Sequence, residues 1–305
     1  MPTRFPSGVS SYGIPVFGGL DIPANATVLF VDSGHASASN GNPGTDPALP
    51  LATIAGAISL TAANNGDHIF VMPGHAETPT SVIALSVAGV TIWGWGYGRA
   101  RPALTGSGAI DVISVTAANC RIHNLRLIGG TSVTALLNVA STDLYVDGCV
   151  FEHGAAPTEA VTLAAGGNRF YFDDCKFLGT ADGPDSAFFF EVGSGTVTDW
   201  HVRNCLFNYL PNGLDRAVFV ATSDAAPGGI IQGCVVLGID VEAGLVDFNS
   251  SAAVGEGMIV DTIVQARVAA TITDFYDLGG YGAARVSFSD GPNRGAIVHP
   301  ATSAT

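Results

Sequence analysis

Two aspartates, Asp147 and Asp173, occupy equivalent places in successive copies of a short pattern, each two residues after a tyrosine (Tyr145, Tyr171) and two before a cysteine (Cys149, Cys175). The next copy puts His201 and Arg203 in the tyrosine and aspartate places. Carboxylates on adjacent rungs can share a proton, hold a cation, or act as the pair of a retaining glycosidase, which needs about 5–5.5 Å between carboxyl groups. Against that chemistry stands a plain alternative: an Asp173–Arg203 surface pair worth under about 1 kcal/mol, with Asp147 solvated. Weighed this way, Asp147, Asp173, His201 and Arg203 are the candidate catalytic set, and the expectation is that they do no catalysis.

Other reactive side chains point the same way. Cys149, Cys175, Cys205 and Cys234 recur in one column at a spacing unlike that of zinc sites, and a column of small apolar side chains is what stacked elements favour. Cys120 stands apart from it. The seven histidines are scattered, without the spacing of a metalloprotease helix, and no nucleophile elbow is present. Gly94-Trp95-Gly96-Tyr97-Gly98 lacks the spacing of a phosphate loop and falls in the register of the repeat. No cofactor and no metal is expected.

The elements that would position these groups come from the repeat itself. Ile92-Trp93-Gly94, Ile122-His123-Asn124, Val146-Asp147-Gly148, Phe172-Asp173-Asp174, Val202-Arg203-Asn204, Ile231-Gln232-Gly233 and Ile259-Val260-Asp261 align at a period of 24 to 30 residues. The third column holds only Gly, Asn and Asp, the residues that enter the left-handed conformation at least cost, so a bend recurs there. Alternation on both sides of the bend means two short strands meeting at a corner. Inward residues after the bend are Trp95, Leu125, Cys149, Cys175, Cys205, Cys234 and Thr262, then Tyr97, Leu127, Phe151, Phe177, Phe207, Val236 and Val264. A further strand precedes each corner, as at Ala135–Val139 and Phe188–Val192. Three strands per repeat describe an all-β parallel β-helix of about seven to eight coils. The outward column Arg126, Val150, Lys176, Leu206, Val235, Ile263 turns apolar, and its last three members are the expected subunit interface.

Composition agrees. Charged residues are only 12% and apolar residues 47%, with 39 glycines, which excludes disorder and disfavours helical bundles. The net charge of −14, with Lys176 the only lysine, argues against a nucleic-acid or anionic-membrane partner. No apolar run is long enough for a membrane span, and no cleaved secretory signal is expected from Met1–Leu20. Leu51, Ile54, Ala57 and Ile58 share a helical face, predicting a capping helix over 51–60 stopped by Asn64-Asn65-Gly66. The expected organisation is an extended arm over 1–28, a cap over 29–66, the β-helix over 67–270, and a C-terminal cap and tail over 271–305.

Asn42-Pro43-Gly44-Thr45, Pro50-Leu51-Ala52-Thr53-Ile54 and Gly66-Asp67-His68-Ile69-Phe70-Val71-Met72-Pro73-Gly74 resemble the opening of right-handed parallel β-helix proteins of the pectin-lyase-like superfamily. That superfamily contains lyases, hydrolases, phage tailspikes and inert structural parts, so the resemblance implies a fold and leaves the reaction open. The arm Met1-Pro2-Thr3-Arg4-Phe5-Pro6-Ser7-Gly8-Val9-Ser10 is similar to the start of small virion proteins of tailed bacteriophages. The two resemblances together imply a non-enzymatic, trimeric capsid decoration or cement protein, made in the host cytoplasm and held on the outer capsid surface. Its arm, through Arg4, Phe5, Pro6, Val9 and Tyr12, would bind the major capsid protein. The alternative is a phage tailspike or polysaccharide lyase or hydrolase acting on host surface glycans.

Overall fold

A computed structural model describes residues 10–11, 14–15, 22–23, 25–130, 133–153, 159–164, 167–179, 188–192, 197–209, 219–221, 228–239, 246–247, 257–266, 276–277, 281–289 and 295–298 of the 305-residue chain. Three sheets of ten, ten and eight strands wrap one core, and each strand pairs in parallel with its counterpart one coil away, apart from an antiparallel pair, Val286–Ser289 with Gly295–Val298, at the C-terminal edge. The first sheet runs from Val28–Val31 to Tyr281–Ala284 and carries Arg121–His123, Thr142–Asp147, Asn168–Asp173 and Thr198–Arg203. The second follows each corner, as at Val150–His153 and Lys176–Gly179, and the third holds Ala135–Val139, Glu159–Leu163 and Phe188–Val192. The right-handed parallel β-helix is therefore the fold. Its strands begin before residue 67 and continue to Ser289, so the coils take in parts of both expected caps.

Register explains why a repeat so short produces a core. Ile69, Ile92, Ile122, Val146, Phe172, Val202, Ile231 and Ile259 are Cα partners from coil to coil and all are buried. The corner residues Asn124, Gly148, Asp174, Asn204, Gly233 and Asp261 have φ between 51° and 63°, and Arg285 extends the series at 52°. Gly94 is the exception. Its φ is ordinary, and glycine is required because a Cβ would lie 2.4 Å from the Asn124 carbonyl oxygen of the next coil. The Asn124 side chain closes that approach by donating to the carbonyls of Gly94 at 2.8 Å and Gly96 at 2.9 Å.

A second corner stands two residues before Thr91, Arg121, Tyr145, Tyr171, His201 and Ile230: Gly89, Asn119, Asp143, Arg169, Asp199 and Gly228 all have positive φ, from 52° to 78°. It is less legible in sequence because arginine fills one rung. Arg169 holds this costly conformation while its guanidinium forks onto Asp143 of the preceding coil at 2.5 and 2.7 Å.

The interior is a set of stacks. Phe151, Phe177 and Phe207 lie nearly parallel at 4.7 and 4.6 Å, and Phe190 meets Phe177 edge-on from the third sheet. Cys149, Cys175, Cys205 and Cys234 are buried free thiols, each with its sulfur near backbone carbonyls, and Thr262 ends the column. Burial pushes the Cys175 thiol up. The first copy of the repeat departs from expectation. Trp95 packs outside the solenoid beside Phe70, and Tyr97 is 84% exposed. The core place expected for Tyr97, beside Leu127, is taken by Leu104, because the eight residues 95–102 between the strands Thr91–Gly94 and Ala103–Thr105 bulge outward.

The capping helix is shorter than predicted, Ile54–Ile58, with Thr53 as N-cap accepting from Gly56 N at 3.0 Å; Leu51, Ile54, Ala57 and Ile58 are buried as expected. Nearby, the buried Asp67 carboxylate accepts from Thr27 N, Ala62 N and Asn65 Nδ2 at 2.6–2.7 Å. Burial alone would raise its pKa, but these bonds outweigh it and hold Asp67 below the usual carboxylate range. In the arm, Ser10–Ser11 pairs antiparallel with Ile14–Pro15, and Ile22 packs on a small outer cluster of Val28, Phe30 and Phe70. Arg4, Phe5, Pro6, Val9 and Tyr12 lie outside the described residues.

Phe177→Ala is expected to cost about 3–5 kcal/mol in urea or thermal unfolding, because rings on both sides are held by their own coils and cannot refill the gap. A second test concerns His153, fully buried against the Tyr209 ring at 6.4 Å, which burial depresses from 6.5 to about 4. Between those values the unfolded chain binds a proton that the folded chain refuses, so stability should fall by roughly 3 kcal/mol as pH drops from 7 to 4. His153→Phe should flatten that part of the pH–stability curve.

Candidate functional site

Outward positions of the first sheet form two columns. The first reads His68, Thr91, Arg121, Tyr145, Tyr171, His201, Ile230 and Met258; the second reads Phe70, Trp93, His123, Asp147, Asp173, Arg203, Gln232 and Val260. Period-two alternation turns these side chains away from the core, and coil stacking at about 4.8 Å brings like positions into contact.

The structure brings all four expected site residues onto this face and adds His123. Tyr145, Tyr171 and His201 form a ring ladder at 6.1 and 5.0 Å, and the Arg121 guanidinium lies 4.8 Å from the Tyr145 ring centre. Asp173 accepts from Arg203 Nη2 at 2.9 Å, from the Tyr145 hydroxyl at 3.2 Å and from Asn204 Nδ2 at 3.3 Å. The Asp173–Arg203 pair expected from the sequence is therefore present. Asp147 is not simply solvated: one of its carboxylate oxygens is hydrogen-bonded to His123 Nδ1. Each carboxylate thus has its own cationic or imidazole partner, and the two need no shared proton.

Electrostatics separates the ring groups. Burial, together with the Asp173 charge, pushes the Tyr145 phenol up, so it stays a donor. Burial and the adjacent Arg203 lower His201, which is neutral at pH 7. At the N-terminal end of the face, Trp93 Nε1 donates to His68 Nδ1 at 2.8 Å, burial lowers His68, and the Trp93 ring meets His123 at 4.7 Å. Trp93, His123, Asp147, Tyr145, Tyr171, Asp173, His201 and Arg203 make one continuous strip of rings and ionisable groups. Its sequence signal lay in the same columns; His123 was missed as a partner because it stands one coil before the aspartates. Among the described residues, no cluster of His, Cys, Asp or Glu could hold a metal ion.

On the second sheet's outward face, Leu206, Val235 and Ile263 stack in register, with Ile263 52% exposed, and Met258 of the first sheet is 50% exposed.

No family model matches the sequence, and no curated protein matches it either. Solved structures do resemble the fold. Pectin methylesterase PemA from Erwinia chrysanthemi aligns with a TM-score of 0.52 at 11% identity, over 87% of this chain and 90% of that one. A pectin methylesterase variant in complex with a hexasaccharide aligns at 0.53, again at 11% identity and with the same coverage. An ORF18 protein of Geobacillus virus E2, at a TM-score of 0.38 and 10% identity over 85% of this chain and 61% of that one, is too distant to support an argument about origin. These findings overturn the expectation that the chain is not an enzyme. That expectation leaned on missing motifs, whereas enzymes of this fold match the chain over nearly its whole length. At such low identity the likeness is one of fold, and by fold this chain is a right-handed parallel β-helix like that of the pectin methylesterases.

Proposed function

We propose that this chain is a carbohydrate-active β-helix protein that hydrolyses ester groups on an extended surface polysaccharide lying along the outward face of the first sheet. The observation that supports the reading is the unbroken strip from Trp93 to Arg203, in which rings able to stack on sugars alternate with ionisable groups. A retaining glycosidase needs one carboxyl free to donate a proton. Here Asp173 is tied to Arg203, and Asp147 to His123, so ester hydrolysis fits better.

In this scheme Asp147 accepts from His123 Nδ1–H, which leaves Nε2 as the acceptor. Water gives a proton to Nε2 and its oxygen adds to the acyl carbon; the alkoxide then leaves with the proton returned by Nε2. Arg121, whose guanidinium lies over the Tyr145 ring on the same face, supplies a cation to the strip. The test is acid release from an O-acylated bacterial envelope polysaccharide in a pH-stat, with reducing ends counted in parallel. The expected result is acid without new reducing ends, and a loss of about 10²- to 10⁴-fold in His123→Ala. Reducing ends from the parent, no acid, or an unaffected variant would each overturn the reading.

The proposed setting is the virion of a tailed phage, as a tailspike-like trimer attached through its N-terminal arm. The arm's resemblance supports the setting, and the Leu206, Val235, Ile263 ladder supports self-association, because stacked aliphatics on flat coils form a contiguous apolar strip. Light scattering should find a trimer, and replacing all three residues by Glu should give folded monomers. A monomeric parent or a trimeric variant would contradict the assignment.

A further inference from the structure

The second sheet's outward face divides into two halves. Its C-terminal half is the aliphatic ladder; its N-terminal half is flanked by the bulge of residues 95–102, and between them lies an open groove of about 440 Å³. That volume is in the range of small-molecule sites and too large for a bare ion. In a chain of net charge −14, the groove gathers Arg99, Arg101, Arg126 and Lys176.

Among the described residues, one of these cations is neutralised. Arg126 forks onto Glu152 through Nε at 2.8 Å and Nη2 at 2.6 Å. No carboxylate among the described residues pairs with Arg99, Arg101 or Lys176. Arg101 Nε is buried and donates to nothing among the described residues, which leaves a buried donor that a ligand acceptor would satisfy. Val150 and Leu178 supply an apolar floor, and Tyr97 stands exposed on the same bulge. Three cations with no carboxylate partner among the described residues, set over an apolar floor, exceed what one carboxylate would balance. A phosphoryl ester, with about −1.5 to −2 charge and three acceptor oxygens, matches them better.

We propose that the groove between the 95–102 bulge and the second sheet binds a phosphorylated sugar unit, its phosphoryl oxygens held by Arg99, Arg101 and Lys176 and its ring lying on Val150 and Leu178. The assignment deepens the glycan reading given above, since it names a chemical feature of the polysaccharide, and it uses a different face from the proposed hydrolytic strip.

Calorimetric titration of the full chain tests it with four probes: glucose 6-phosphate, glucose, glucuronate and inorganic phosphate. Glucose 6-phosphate should bind with an affinity that falls as salt rises, glucuronate and inorganic phosphate about tenfold more weakly, and glucose without measurable heat. Arg101→Gln and Lys176→Gln should each weaken sugar-phosphate binding about tenfold, the loss of one charge-assisted hydrogen bond, with unchanged thermal melts. Lys176 is exposed, so its variant remains informative if Arg101→Gln fails to fold. Glucose binding as tightly as its phosphate, inorganic phosphate binding as tightly as the sugar phosphate, or variants equal to the parent would overturn the assignment. His123→Ala should keep the full sugar-phosphate affinity. A parent that binds sugar phosphate but releases no acid would therefore sink the hydrolytic reading alone, and the converse would sink the groove alone.

Discussion

Backbone pairing between successive coils is the constraint on which everything else in this molecule depends. A strand here has neighbours only above and below, at about 4.8 Å, so its N–H and C=O groups are satisfied only if every coil repeats the same path. Two left-handed corners per coil enforce that path, one through the Asn124 to Arg285 series and one through the Gly89 to Gly228 series. Once register is fixed, like positions must stack whether they face inward or outward. The Phe151, Phe177, Phe207 stack and the Tyr145, Tyr171, His201 ladder are the dry and wet products of the same geometry.

This geometry also determines how much could be read from the sequence. The Asn124 corner was legible because its rungs from Gly94 to Asp261 are all Gly, Asn or Asp, and the inward columns followed from counting in twos away from it. The other corner was hidden by Arg169, a residue that enters the left-handed region only with outside support, here its fork onto Asp143. Counting failed at Trp95 and Tyr97, since an insertion inside a coil shifts nothing in the local alternation and shows only when Leu104 is found opposite Leu127. Asp173–Arg203 could be foreseen from adjacency in the repeat. His123–Asp147 follows from the same rule, one rung earlier in the aspartate column.

A solenoid spreads its surface into long faces, which lets one small chain keep unlike chemistries apart. The first sheet presents rings and paired ions; the second presents cations at the 95–102 bulge and then aliphatics towards Ile263. With acidic residues outnumbering basic ones 26 to 12, a clustered cationic groove is an investment in one place, and the single lysine lies in it. The strained left-handed corners and buried thiols hold these faces in position and take no part in the proposed chemistry.

Hydrogen-exchange protection on adding an acylated surface polysaccharide tests the central claim most directly, because backbone amides report which face the chain covers or stiffens. The account predicts protection concentrated in Arg121–His123, Thr142–Asp147, Asn168–Asp173 and Thr198–Arg203, the strands that carry the ring and ion strip. Protection confined to the third sheet, or none at a polysaccharide concentration that saturates binding, would contradict it.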